Sequence, residues 1–68
     1  MEINLDKITN LMVEKGMSYT DLANESKLSK TQIWRIFNQK NPKTRLKTIS
    51  LLSKALNVDY KEIVKEGN

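Results

Sequence analysis

The apolar residues of this chain recur at helical spacing. Ile8, Leu11 and Met12, with Leu5 beside them, form one stripe, and Ile33, Ile36 and Phe37 form another at i, i+3 and i+4. Leu46, Ile49, Leu52, Ser53 and Leu56 make a longer third stripe, while Leu22 and Ala23 turn inward on a short segment between the first two. The pattern predicts helices over residues 5–15, 19–25, 30–38 and 45–56. A fifth opens after Asp59 and ends near Lys65, which makes the fold class all-α and five-helical.

Start and stop signals agree with the stripes. Asn4 is placed to cap the first helix, with Ile3 and Ile8 as the hydrophobic staple around it, and Gly16 follows its last turn. Ser18 has Asp21 three residues on, and Ser29 has Gln32 three residues on, so the same capping box occurs twice. Met17 with Leu22, and Leu28 with Ile33, staple these two starts. Only a tight turn through Ser26, Lys27 and Leu28 separates the second helix from the third. A helix, a short turn and a second helix is the arrangement that places one helix in a DNA groove. The polar loop at residues 39–43 contains the helix breaker Pro42, Thr44 is placed to cap the fourth helix, and Asp59 caps the fifth with Val58 and Ile63 as its staple.

Composition adds exclusions. Sixty-eight residues, 38% hydrophobic and 29% charged, fit one globular domain over residues 1–68, with a core at about 4–65 and a tail at 66–68 that frays. The chain has no Cys and no His, which removes the usual zinc sites, disulfides and His-based catalysis. Two glycines, Gly16 and Gly67, cannot build a phosphate-binding loop. No enzymatic activity, cofactor, metal or small-molecule ligand is expected. No apolar run approaches the roughly 18 residues of a membrane span, and the first residues lack a signal-peptide pattern, so the expectation is a cytoplasmic protein without a membrane partner.

Charge is segregated. Residues 26–58 hold eight bases (Lys27, Lys30, Arg35, Lys40, Lys43, Arg45, Lys47 and Lys54) and no acid, whereas the flanks hold all eight acids and four bases. A net charge of +4 so distributed marks a polyanion-binding face. On the third helix Lys30, Thr31, Gln32, Arg35 and Asn38 project away from the core stripe, and all can donate hydrogen bonds. Trp34 also lies off that stripe, to pack over a neighbouring helix or to meet a DNA backbone or a partner subunit. Lys43, Arg45 and Lys47 gather at the start of the fourth helix, where cations oppose the macrodipole at a cost of a few tenths of a kcal/mol each. That placement suggests a role outside the helix, such as binding phosphate.

The sequence resembles the phage lambda repressor and Cro type of helix-turn-helix domain, the xenobiotic-response-element family of bacterial and phage regulators. The matching blocks are Lys15-Gly16-Met17-Ser18, Asp21-Leu22-Ala23, Leu28-Ser29-Lys30-Thr31-Gln32-Ile33, Arg35-Ile36 and Ser53-Lys54-Ala55-Leu56-Asn57-Val58, in the family's order and spacing. The resemblance implies a compact five-helix domain with the helix-turn-helix in helices 2 and 3. It also implies that Lys30, Thr31 and Arg35 read bases and that Gln32 meets a base or a phosphate. The DNA backbone falls to Ser18 and Tyr19, to Ser29, Asn38 and Lys40, and to Lys43 and Arg45. Contact chemistry agrees, since Arg and Lys suit guanine, Gln suits adenine and Thr suits the thymine methyl. The sequence departs from the family pattern at Lys27 and Gln39, where Gly is common, at Leu51, usually polar, and at Trp34, usually small.

Together these readings predict a sequence-specific double-stranded DNA-binding regulator, a Cro-like repressor. It acts as a homodimer on a palindromic operator with half-sites about 34 Å apart. Leu51, Tyr60, Val64 and Trp34 are the candidates for the dimer surface. The alternatives are a protein-interaction module, such as an antitoxin or anti-repressor on the same fold, and a nonspecific nucleic-acid binder.

Overall fold

Four α-helices follow one another as α1 (Leu5–Lys15), α2 (Tyr19–Ser26), α3 (Lys30–Phe37) and α4 (Leu46–Leu56), and a 3-10 turn at Tyr60–Glu62 comes after them. The computed structural model describes residues 1–40 and 42–65, so the expected fraying of 66–68 lies outside the described residues. The ends form as short-range chemistry dictates. Asn4 Oδ1 accepts the Lys7 N–H at 3.1 Å to start α1. Gly16 closes it in the left-handed conformation at φ 66°, its N–H on Val13 O and the Met17 N–H on Met12 O. Asn57, at φ 57°, ends α4 with the same pair of bonds, from its own N–H to Lys54 O and from Val58 N–H to Ser53 O.

The core is a single cluster. Ile8 and Met12 of α1, Leu22 and Ala23 of α2, Ile33 and Ile36 of α3, and Ile49, Leu52 and Leu56 of α4 are buried together with Leu28 and Ile63. α2 packs against both α3 and α4, and α4 also holds the 3-10 turn. Ser53 faces this core as predicted and satisfies its hydroxyl on Ser50 O at 2.9 Å.

Three expectations need correction. The fifth helix is only a 3-10 turn. Asp59 does cap it, accepting the Lys61 N–H at 2.9 Å, but the chain beyond is drawn into pairing with the N-terminal segment. Asn4 N–H donates to Ile63 O at 2.8 Å, Lys65 N–H donates to Glu2 O at 3.0 Å, and Ile3 bridges Val64. Those bonds use the backbone groups that a continuing helix would need.

The same N-terminal segment reaches the loop before α4. Ile3 N–H donates to Pro42 O at 2.9 Å, Thr44 N–H donates to Met1 O at 3.0 Å, and Glu2 bridges Lys43. Ile3 is therefore a fully buried core residue tying both ends of the fold together. Thr44 is not the cap of α4; Arg45 holds that position and makes no side-chain cap bond.

Leu46 is the third correction. It opens the apolar stripe of α4, yet it is 69% exposed, because it sits in the first turn, ahead of the face that begins at Ile49. Among the described residues, no helix is long and apolar enough to cross a membrane.

Candidate nucleic-acid interface

Both capping boxes close. Ser18 Oγ accepts the Asp21 N–H at 3.1 Å while an Asp21 carboxylate oxygen accepts the Ser18 N–H at 3.0 Å. Ser29 Oγ accepts the Gln32 N–H at 3.1 Å, and Gln32 Oε1 accepts the Ser29 N–H at 3.0 Å. Each box satisfies two backbone donors and fixes where its helix starts. The hydrogen bond from the Ser18 backbone N–H holds the Asp21 carboxyl below its ordinary pKa, and the Ser18 hydroxyl lowers it further.

Between the boxes, α2 runs to Ser26, one residue beyond the predicted end. The Ser26 side chain is buried and bonded on both sides. Its hydroxyl donates to Ala23 O at 3.3 Å and its oxygen accepts the Leu28 N–H at 3.4 Å. Lys27 takes the left-handed conformation at φ 66°, where a side chain carries strain that glycine would not. Leu28 then turns into the core and α3 begins.

The side chains expected to meet DNA are all exposed. Lys30, Thr31, Gln32 and Arg35 stand on α3, Ser18, Tyr19 and Ser29 at the two helix starts, and Asn38, Lys40, Lys43 and Arg45 after α3. The ion pairs of the described residues do not involve these side chains. Among the described residues Lys7 pairs with Glu62 at 3.4 Å and Lys65 with Glu2 at 3.9 Å, and no acid neutralises a base of residues 26–58.

A hollow of about 390 Å³ separates the start of α2 from α3, lined by Tyr19 and Thr20 on one side and Lys30, Trp34, Phe37 and Asn38 on the other. Tyr19 and Phe37 meet there edge to face, their centroids 4.9 Å apart. The structure thus brings Tyr19, Lys30 and Asn38 together. Lys40 borders a different hollow, beside Asn4, Leu5 and Asp6. Of the other candidates, Leu51 and Val64 are half-buried against the core, whereas Trp34 and Tyr60 project into solvent.

The pattern of the Cro/C1-type HTH DNA-binding domain matches residues 7–65. The chain belongs to that family. None of the curated proteins matches it, and none of the solved structures does.

For a Cro/C1-type domain, two side chains are less free than their exposure suggests. Gln32 has committed Oε1 to the Ser29 N–H, which leaves its NH₂ as the available hydrogen-bonding group. Asn38 donates from Nδ2 to Trp34 O at 2.8 Å, capping the end of α3, and retains one N–H and its carbonyl oxygen. Thr20 and Phe37 are hollow-lining residues that sequence reasoning did not assign to the interface. Phe37 reads as core, and nothing in local spacing marks Thr20.

Proposed function

We propose that this Cro/C1-type DNA-binding protein is a sequence-specific transcriptional regulator acting as a Cro-like repressor, with α3 in the major groove. The supporting observation is the exposed face of α3, which carries bases and hydrogen-bond donors and no acid, and among the described residues no ion pair neutralises those bases. Lys30, Thr31 and Arg35 are the base-reading residues of this proposal, and Gln32 adds a donor through its NH₂. Ser18, Tyr19, Ser29, Asn38, Lys43 and Arg45 are the backbone contacts. Lys40 is the weakest member of that set, since it lies beside the start of α1. The site of action is the cytoplasm, where bacterial and phage operators are found.

One domain of this size makes few base contacts, so specificity calls for two copies on a palindrome, with recognition helices about 34 Å apart. Tyr60 is the best-placed of the dimer candidates: it is exposed and shares a hollow with Met1, Leu46 and Ile49. An isologous contact would join this apolar patch to its own copy.

Selection of bound sequences from a random DNA pool at about 150 mM salt tests the reading, because counterion release weakens nonspecific binding there. A palindrome with half-sites one turn apart is the expected result. An unpaired half-site would retain DNA recognition and remove the dimer. Absence of any enriched sequence would favour the protein-interaction reading, an antitoxin or anti-repressor on the same fold.

A further inference from the structure

Trp34 is the chain's sole tryptophan, and it is 66% exposed in the middle of α3. Of the alternatives that the sequence leaves open, packing over a neighbouring helix is therefore removed. The ring is not an isolated apolar residue in water. It forms the wall of the hollow opposite Tyr19, which is also exposed, with Lys30 at the rim and no acid in the lining.

Its position on the helix limits what it can meet. Trp34 follows Lys30 by four residues and Thr31 by three, so its indole covers the same patch of helix surface as those two. Whatever approaches Lys30 and Thr31 therefore approaches Trp34. A second copy seated on the indole would cover both of them and close the face. In duplex DNA the bases are stacked, and only their edges reach a helix in the major groove. Those edges carry hydrogen-bonding groups and one apolar group, the thymine 5-methyl. The base contacts proposed for Lys30 and Thr31 bring this edge within reach of the ring.

We propose that Trp34 is a specificity-determining residue that reads the 5-methyl group of a thymine beside the bases met by Lys30 and Thr31. This assignment rests on the DNA-binding reading above. It makes sequence preference at one position depend on a buried methyl group, not on a hydrogen bond.

The test uses the full chain and the site recovered by selection. Each thymine is replaced in turn by deoxyuridine, which removes the methyl and leaves pairing and the hydrogen-bonding edge unchanged. At one position per half-site, the replacement is expected to weaken the wild type about fourfold, the worth of one buried methyl group. Trp34→Ala is expected to be insensitive to that same replacement. The fluorescence of the single tryptophan should become protected from acrylamide on addition of DNA, at protein concentrations where the free protein is quenched.

Several results would overturn the assignment. A site without a methyl-sensitive thymine would do so and leave DNA recognition intact. Equal sensitivity in Trp34→Ala would give the methyl to another side chain, Thr31 first. Protection that grows with protein concentration in the absence of DNA would place Trp34 between copies. Failure to enrich any sequence would overturn this assignment together with the reading beneath it.

Discussion

The ring of Tyr19 meets the ring of Phe37 at a centroid distance of 4.9 Å and an angle of 60°. The first residue of α2 is thereby held to the last residue of α3, across the hollow that Trp34 and Lys30 border. In the proposed complex, the phosphate contacts at the start of α2 and the base contacts along α3 must keep a fixed separation. This aromatic pair, with the core packing of α2 on α3, links the two.

Removing that pair should therefore cost both stability and binding. An edge-to-face pair contributes about 0.5–1.5 kcal/mol beyond the area it covers, so Tyr19→Ala should lower unfolding stability by about 1 kcal/mol. Tyr19→Phe keeps the ring and loses only the hydroxyl. It should match the wild type in urea denaturation and show a modest loss of DNA affinity that is equal for all sequences. Unchanged stability in Tyr19→Ala would mean that the pair holds nothing.

Base contact and phosphate contact separate by their salt and sequence dependence. Arg35→Ala should lose about 1–3 kcal/mol of specific binding and relax the preference at one base position. Lys43→Ala should weaken specific and nonspecific DNA alike and reduce the salt slope by about one. Titrations against the selected site and a scrambled one, at several salt concentrations, distinguish the two. Equal losses on both DNAs for Arg35→Ala would remove its base-reading role.

Gln32 serves two functions that one substitution separates. Its carbonyl oxygen closes the capping box on Ser29, while its NH₂ remains available as a donor. Gln32→Glu keeps an acceptor at the third helical position, where a carboxylate also favours the helix dipole. Thermal stability at neutral pH should be unchanged or slightly higher. DNA affinity should fall about tenfold or more, because the donors vanish and a negative charge enters an acid-free face. Wild-type affinity in this variant would place Gln32 outside the interface.

The helix starts that frame the candidate interface are legible in the sequence because they are built from short-range rules. The caps at Asn4, Ser18 and Ser29 need only residues three apart, and each forms as its spacing predicts. Contacts between distant segments carry no such mark. The aromatic pair depends on how α2 and α3 cross. The supposed fifth helix fails because Ile3, at the other end of the chain, bridges Val64. The bond from Ile3 to Pro42 likewise ties the loop beyond Lys40 to the N-terminal segment, and Lys40 lies near Asp6 rather than in the hollow with Lys30. Leu46 belongs to the stripe by spacing but lies outside the core by position.

The Asp21 box gives α2 a dependence on pH. Its carboxyl is held below the ordinary value by the Ser18 backbone N–H first and by the Ser18 hydroxyl second. A group whose pKa is lower folded than unfolded stabilises fully above its unfolded value, about 3.9, and that contribution disappears as pH falls through the folded value. Asp21→Ala should thus be less stable than the wild type at pH 7. The difference should hold down to about pH 4 and shrink below it. Denaturation midpoints between pH 7 and pH 2 measure this directly, and a constant difference throughout would exclude the linkage.

Lys27 marks the most strained backbone in the helix-turn-helix, at φ 66° with a full side chain. The left-handed conformation costs an L-residue about 1–2 kcal/mol, whereas glycine adopts it freely and loses about 0.5–1 kcal/mol through unfolded-state entropy. Lys27→Gly should therefore stabilise the fold by about 0.5–1 kcal/mol. Asn57, at φ 57°, is the internal control, because a short polar side chain tolerates this conformation better. Asn57→Gly should give a smaller gain. Lys27 lies in the turn, outside the proposed contacts, so the base preference and salt slope of Lys27→Gly should match the wild type. A slope reduced by about one would instead make this lysine a phosphate contact, retained at the expense of stability.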